Sequence, residues 1–178
     1  MIISLIGFMA AGKTTAGKKL AESMNCPFID LDAYIEEKEG KKITDIFQEN
    51  GEEHFRGLEE KYLQDVLEDN IAAHPETLDD LPPFEENAEA PAGGDIPVRK
   101  CTLVLALGGG TIMNGVCAQL IKDLTFCIYL KTNLKTILQR LEKETEDRPM
   151  VSLCESIERL YKAREPIYEE LGRIKIEL

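Results

Sequence analysis

The sequence predicts an α/β protein: one three-layer domain over residues 1–178, built on a five-stranded parallel sheet with helices on both faces. Two observations predict the class. Short apolar runs, several of them closed by glycine or by acidic residues, alternate with stretches of helical spacing. Some of those runs are apolar throughout rather than alternating with polar residues, as strands covered on both faces are. The 178 residues suit one domain. At that length folding buries about 70% of the unfolded surface, so no disulfide or structural metal is needed for stability.

Ile2–Ile6 is short and apolar with a glycine after it, which predicts a central strand. Lys13–Met24 has helical spacing, with Ala16, Leu20, Ala21 and Met24 on one side. Phe28–Leu31 predicts a second strand, and helical patterns follow at Ala33–Glu39, Ile43–Asn50 and Glu52–Asp69. Thr102–Leu107 predicts a third strand, ending in Gly108-Gly109-Gly110. Val116–Lys122 is a short helix, Thr125–Leu130 a fourth strand, Leu134–Glu144 and Ser156–Leu171 helices, and Arg173–Leu178 a fifth strand. Asn70–Lys100 breaks the alternation. It holds Pro75, Pro82, Pro83, Pro91 and Pro97, several acids, and no basic residue before Arg99. It is expected to be a solvated, mobile excursion without a catalytic role, or else a partner-docking loop. Ligands of such sheets bind beyond the carboxyl ends of the strands. Here those ends carry GFMAAGKTT, DLD and GGG.

Charge narrows the partners. Lys+Arg number 21 and Asp+Glu 33, for a formal net charge of −12. An acidic surface repels phosphate backbones and anionic lipids, so neither nucleic acid nor a membrane surface is expected as a partner. A small anion must be held by local cations and backbone N–H groups against that field. Cys26, Cys101, Cys117, Cys127 and Cys154 are odd in number and lack C-x-x-C spacing, which predicts buried free thiols in a reducing compartment. His54 and His74 are too few and too separated for a histidine metal site. The N-terminal apolar run has no basic region before it, and Lys13 ends it too early for a spanning helix, so a cytoplasmic location is expected.

Gly7-Phe8-Met9-Ala10-Ala11-Gly12-Lys13-Thr14 fits the phosphate-loop pattern G-x-x-x-x-G-K-[ST], between a strand and a helix as that pattern requires. The glycines let successive N–H groups turn inward, and the following helix adds its positive end. Lys13 then reaches the β- and γ-phosphates, and the Thr14 hydroxyl can ligate Mg²⁺. In Asp30-Leu31-Asp32, alternate residues of an extended segment point the same way. One carboxylate could hold hydrated Mg²⁺ and the other accept a proton from a substrate hydroxyl. The competing reading has one of them, Asp32 before Asp30, capping the next helix. The triple glycine permits close approach of a ligand, though a plain flexible turn would look the same. Arg56, flanked by Glu52, Glu53, Glu59 and Glu60, reads equally as a surface ion pair. Arg148 in TEDRPM and Arg164 in KAREPIYEEL stand evenly between surface charge and anion ligand.

Together GFMAAGKTT, FIDLD, GEEHFRGLEEKYL, LGGG, RPM and REPIYEEL, in this order, resemble the shikimate kinases, small P-loop kinases of the nucleoside-monophosphate-kinase fold. The resemblance spans nearly the whole chain apart from Asn70–Lys100 and the C-terminal end. It implies ATP-dependent phosphorylation of the shikimate 3-hydroxyl with Mg²⁺, in the pathway to the aromatic amino acids, by a monomer. Nucleotide contacts are implied for Gly7, Ala10, Ala11, Gly12, Lys13, Thr14 and Thr15, with Arg140 beside adenine. Thr14 and Asp30 are implied at the metal. Asp32 corresponds to the carboxylate that holds the attacking hydroxyl, and Arg56 and Arg164 to the clamp on the substrate carboxylate. Gly108, Gly109 and Gly110 correspond to the glycine turn that lines the shikimate pocket. Lys13, Asp32 and Arg148 are the implied catalytic set, with Arg148 swinging onto the phosphates from a lid around residues 144–155.

The sequence departs from the family in a short lid, in Ala106-Leu107 before the glycines where Ala-Thr is usual, and in ending at Leu178 within the last strand. Part of the adenine site is therefore expected to be missing. A kinase for another small metabolite such as gluconate, or for a nucleoside monophosphate, would share the phosphate loop without requiring FR, GGG and RxPxY. A guanine-nucleotide switch needs [NT]KxD, which the sequence lacks. A degenerate binding module should have lost Lys13, Asp32 or the arginines.

Overall fold

A computed structural model describes residues 1–75, 100–144 and 150–178. Its strands are β1 (Ile2–Ile6), β2 (Phe28–Asp30), β3 (Leu103–Ala106), β4 (Phe126–Lys131) and β5 (Ile174–Glu177). They form one sheet in the order β2-β3-β1-β4-β5, and every pairing is parallel. The helices are α1 (Lys13–Met24), α2 (Leu31–Glu39), α3 (Ile43–Ala73), α4 (Gly115–Leu124), α5 (Leu134–Glu144) and α6 (Met150–Leu171), with a short 3-10 helix at Thr111–Met113. The expected α/β class and five-stranded parallel sheet are what the chain forms.

The apolar runs become the central strands because both faces of the sheet are covered. On β1, Ile3 and Leu5 face a cluster with Ala21 of α1, while Ile2 and Ile6 face the opposite cluster with residues of α3, α4 and α6. The phosphate loop, the end of β2 and the glycine turn after β3 thus emerge side by side. Cys26, Cys101, Cys117 and Cys127 are free thiols, and the first two lie 3.3 Å apart, sulfur to sulfur.

Some boundaries differ from the expectation. The two helices expected at Ile43–Asn50 and Glu52–Asp69 are one element, α3, kinked at Gly51 with φ 83° and ψ 174°. It runs on to Ala73, so the first residues of the Asn70–Lys100 segment are helical. Asn70 is held there, its amide donating to the Thr102 carbonyl at 3.4 Å and its Oδ1 accepting from the Thr102 hydroxyl at 2.8 Å. Residues 76–99, the rest of that expectation, lie outside the described residues. The helix expected from Ser156 starts at Met150. The middle of the expected lid, residues 145–149 with Arg148, lies outside the described residues.

Candidate active site

The phosphate loop has the backbone its pattern requires. Gly12 caps α1 in the left-handed region at φ 91°, where a side chain is strained. A Cβ on Gly7 would stand 2.7 Å from the Leu130 carbonyl oxygen. Ala10 is also left-handed, at φ 55°, a conformation that costs a non-glycine residue roughly 1–2 kcal/mol. The Lys13 ammonium donates to the carbonyls of Gly7 and Phe8, both at 2.9 Å. Burial pulls it down to about 8, against the pull of Asp32 and Asp30. From α5, Arg140 donates to the Ala10 carbonyl at 2.8 Å.

The two aspartates do not alternate along a strand. β2 ends at Asp30, and Asp32 lies in the first turn of α2. The helix cap is Asp30, whose Oδ1 accepts from the Ala33 N–H at 3.4 Å; Asp32 is not the cap. The other oxygen of Asp30 accepts from the Thr14 hydroxyl at 2.6 Å, tying β2 to the start of α1. Asp32 is left half-buried. Burial, with Asp30 and Glu59 close by, pushes its carboxyl up to about 6, and Lys13 and Arg56 only partly oppose this.

The three glycines earn their place through what crowds them. None has a positive φ. A Cβ on Gly108 would stand 2.7 Å from Asp32 Oδ1, 2.9 Å from Glu59 Oε1 and 2.9 Å from Thr111 Oγ1. One on Gly109 would stand 3.0 Å from the Met9 backbone nitrogen, and one on Gly110 2.7 Å from the Arg56 guanidinium. The turn is therefore pressed at once against an acidic pair, the phosphate loop and an arginine. Glu59, 1% exposed, accepts from the Thr111 hydroxyl at 2.5 Å and closely pairs with Arg56. Arg56 also reaches Glu52 at 2.9 Å and is 24% exposed. This is a partly buried pair that aims a guanidinium at the turn, rather than an open surface ion pair.

From α6, Arg164 Nη1 donates to the Gly109 carbonyl at 3.0 Å, and the Tyr168 hydroxyl donates to the same oxygen at 2.5 Å. Tyr168 is 1% exposed and stacks on Tyr129, with ring centroids 5.3 Å apart. The Arg164 guanidinium lies 6.0 Å from the centroid of the Phe8 ring.

A cleft of about 920 Å³ opens at this edge of the sheet, lined by Ala10 to Thr15, Asp30, Asp32, Gly109 and Arg140, among others. Gly7, Gly108, Gly110, Arg56 and Arg164 are not in its lining, and Arg56 and Arg164 are held by Glu59, Glu52 and the Gly109 carbonyl. Sequence reasoning gave Glu59 no role beyond flanking Arg56, and Tyr168 none beyond its place in REPIYEEL. Glu59 lies three residues from Arg56 and Tyr168 four from Arg164, spacings that were available signals, since such pairs share a helix face. Sequence reasoning missed Lys19 and Lys143, which line the cleft.

A family model described as Shikimate kinase matches residues 9–73 and 88–177. The chain belongs to the shikimate kinase family. The unmatched interval is shorter than Asn70–Lys100, and the match runs almost to the last residue, so the family likeness extends further than the motifs alone suggested. A shikimate kinase from a Sulfurihydrogenibium species is 36% identical over 175 residues, 98% of this chain and 86% of that protein. One from Dictyoglomus turgidum is 32% identical over 179 residues, covering 99% and 87%. The solved structure of shikimate kinase from Acinetobacter baumannii in complex with shikimate superposes with a TM-score of 0.75 at 31% identity, over 99% of this chain and 83% of that one. The family's P-loop kinase fold is the one described above.

Proposed function

We propose that this protein transfers the γ-phosphoryl group of ATP to the 3-hydroxyl of shikimate, giving shikimate 3-phosphate on the route to chorismate and the aromatic amino acids. The observation that carries the reading is the meeting of a phosphate loop with Asp30, Asp32 and Gly109 in one cleft of a shikimate kinase family member.

Lys13, now resting on loop carbonyls, would exchange them for phosphate oxygens, joined by backbone N–H groups of Gly7, Ala10, Ala11, Gly12 and Thr15; the Ala11 N–H, which donates to the Phe8 carbonyl at 3.2 Å, would give up that bond. The Thr14 hydroxyl and the Asp30 carboxylate, 2.6 Å apart, are hard oxygen donors of the kind Mg²⁺ prefers. The bound ion supplies charge neutralisation on the phosphates. Asp32 would hold the attacking hydroxyl. With its carboxyl near 6 it is ionised at neutral pH and still basic enough to take the proton late in the transfer. Arg56 and Arg164 would grip the substrate carboxylate beside Gly108 and Gly110. Arg148 would reach the phosphates, and Arg140 would stand by adenine. The protein would act as a monomer, and free thiols suit a cytoplasmic setting.

A coupled assay of ATP turnover against shikimate, gluconate and other hydroxy acids tests the reading. Turnover is expected with shikimate at least about a hundredfold above the other acids, whose hydroxyls and carboxylate are spaced differently and leave polar groups of the site unpaired. Preference for another acid would overturn it.

A further inference from the structure

Two side chains one turn apart on α6 end on one oxygen. Arg164 and Tyr168 both donate to the Gly109 carbonyl, at 3.0 and 2.5 Å. A carbonyl has two lone pairs, and here both are filled by side chains. The two donors are unlike. Tyr168 is locked: it is 1% exposed and stacked on Tyr129. Burial pushes its hydroxyl up to about 12, so it stays a donor through the working pH range. Arg164 is only partly buried, and its guanidinium can turn on a flexible stem to a different acceptor.

The carbonyl they share cannot move freely. Gly109 is pressed against the backbone of Met9 in the phosphate loop, and Gly110 against Arg56. Tilting the 109–110 peptide would disturb both neighbours.

We propose that Tyr168 is a positioning residue for substrate binding: it fixes the Gly109 carbonyl so that Arg164 can leave it for the carboxylate of the incoming hydroxy acid. This rests on the reading of Arg164 as part of the carboxylate clamp. Without the Tyr168 hydroxyl, Arg164 becomes the sole side-chain donor to that carbonyl. Binding the carboxylate would then leave a partly buried acceptor without its side-chain partners, a penalty that falls on the hydroxy acid alone.

Tyr168→Phe, which keeps the ring stack, tests this beside Arg164→Ala. For Tyr168→Phe we expect the KM for shikimate to rise about tenfold, the KM for ATP to stay within about twofold, and the melting temperature of the unliganded protein to fall by less than about 3 °C, because Arg164 still holds the carbonyl. Shikimate should also raise that melting temperature less than it does in the parent. Arg164→Ala should raise the KM for shikimate at least as much. An unchanged KM for shikimate in Tyr168→Phe beside a raised one in Arg164→Ala would overturn the role of Tyr168 and spare the clamp. No change in Arg164→Ala would overturn both. An equal rise in both KM values for Tyr168→Phe, or its failure to fold, would mark the residue as structural only and overturn the proposal.

Discussion

Asp32 carries its charge where the protein resists it. Its folded pKa, about 6, lies above the ordinary carboxylate value of 3.8, chiefly through burial and then through Asp30 and Glu59. A carboxyl raised in this way favours the folded state fully below pH 3.8, and that contribution is lost as pH rises through about 6. At neutral pH the unliganded protein is thus destabilised by on the order of 2–3 kcal/mol relative to a neutral isostere at this position. Asp32→Asn is expected to raise the melting temperature of the metal-free, unliganded protein at pH 8, with the advantage vanishing near pH 4. Turnover should fall by roughly 10²–10⁴, the span of a positioned general base. Melts at the two pH values and an initial-rate assay check both halves, and a variant neither stabilised at pH 8 nor slowed would refute the assignment. The sequence placed Asp30 and Asp32 at the right edge of the sheet but put Asp32 before Asp30 as the helix cap. The cap depends on where α2 begins, and the Ala33 N–H on Asp30 decides it.

At the scale of elements, two junctions tie helices to the sheet. The turn from α6 into β5 is wedged against β4: a Cβ on Gly172 would stand 2.6 Å from Tyr129 Cβ and 3.1 Å from the Tyr168 carbonyl oxygen. These atoms belong to the backbone or sit next to it and cannot swing aside. Gly172→Ala is therefore expected to cost about 1–3 kcal/mol of stability, as overpacking does, measured as a shifted denaturant midpoint. The second junction is Asn70 on Thr102. Replacing residues 76–99 with a short glycine-containing linker should leave kcat within a few-fold, because loop length changes closure entropy slowly. A replacement starting at Asn70 should in addition lower stability by about 1 kcal/mol or more, the usual worth of a hydrogen bond or two. Equal stability of the two variants would show that this anchor contributes nothing. Helices with strong local signals, α1 and α5, fall where their spacing placed them. The end of α3 was hidden because Asn70 read as the polar start of a loop, and what fixes it is a partner 32 residues away.

For the molecule as a whole, the alternation of apolar runs and helical stretches carried the class and the parallel sheet, and a contiguous motif carried the phosphate loop. What the sequence could not show was proximity: Glu59 meets Thr111 across 52 residues, and Tyr168 meets Gly109 across 59. The central position of β1 carries this separation further. Ile2 pairs with Leu103 and Ile3 with Phe126, so the first strand finds both its neighbours in the second half of the chain. Time is then the quantity at stake. An assembly that must close loops of this size before its middle strand gains any partner is expected to refold in roughly milliseconds to seconds, rather than in the microseconds to milliseconds of helical bundles. Until then Ile2–Ile6 stays unpaired and able to meet the same segment of another molecule. Stopped-flow refolding should show the slow phase, and the recovered yield should fall as protein concentration rises, although the net charge of −12 keeps finished molecules apart.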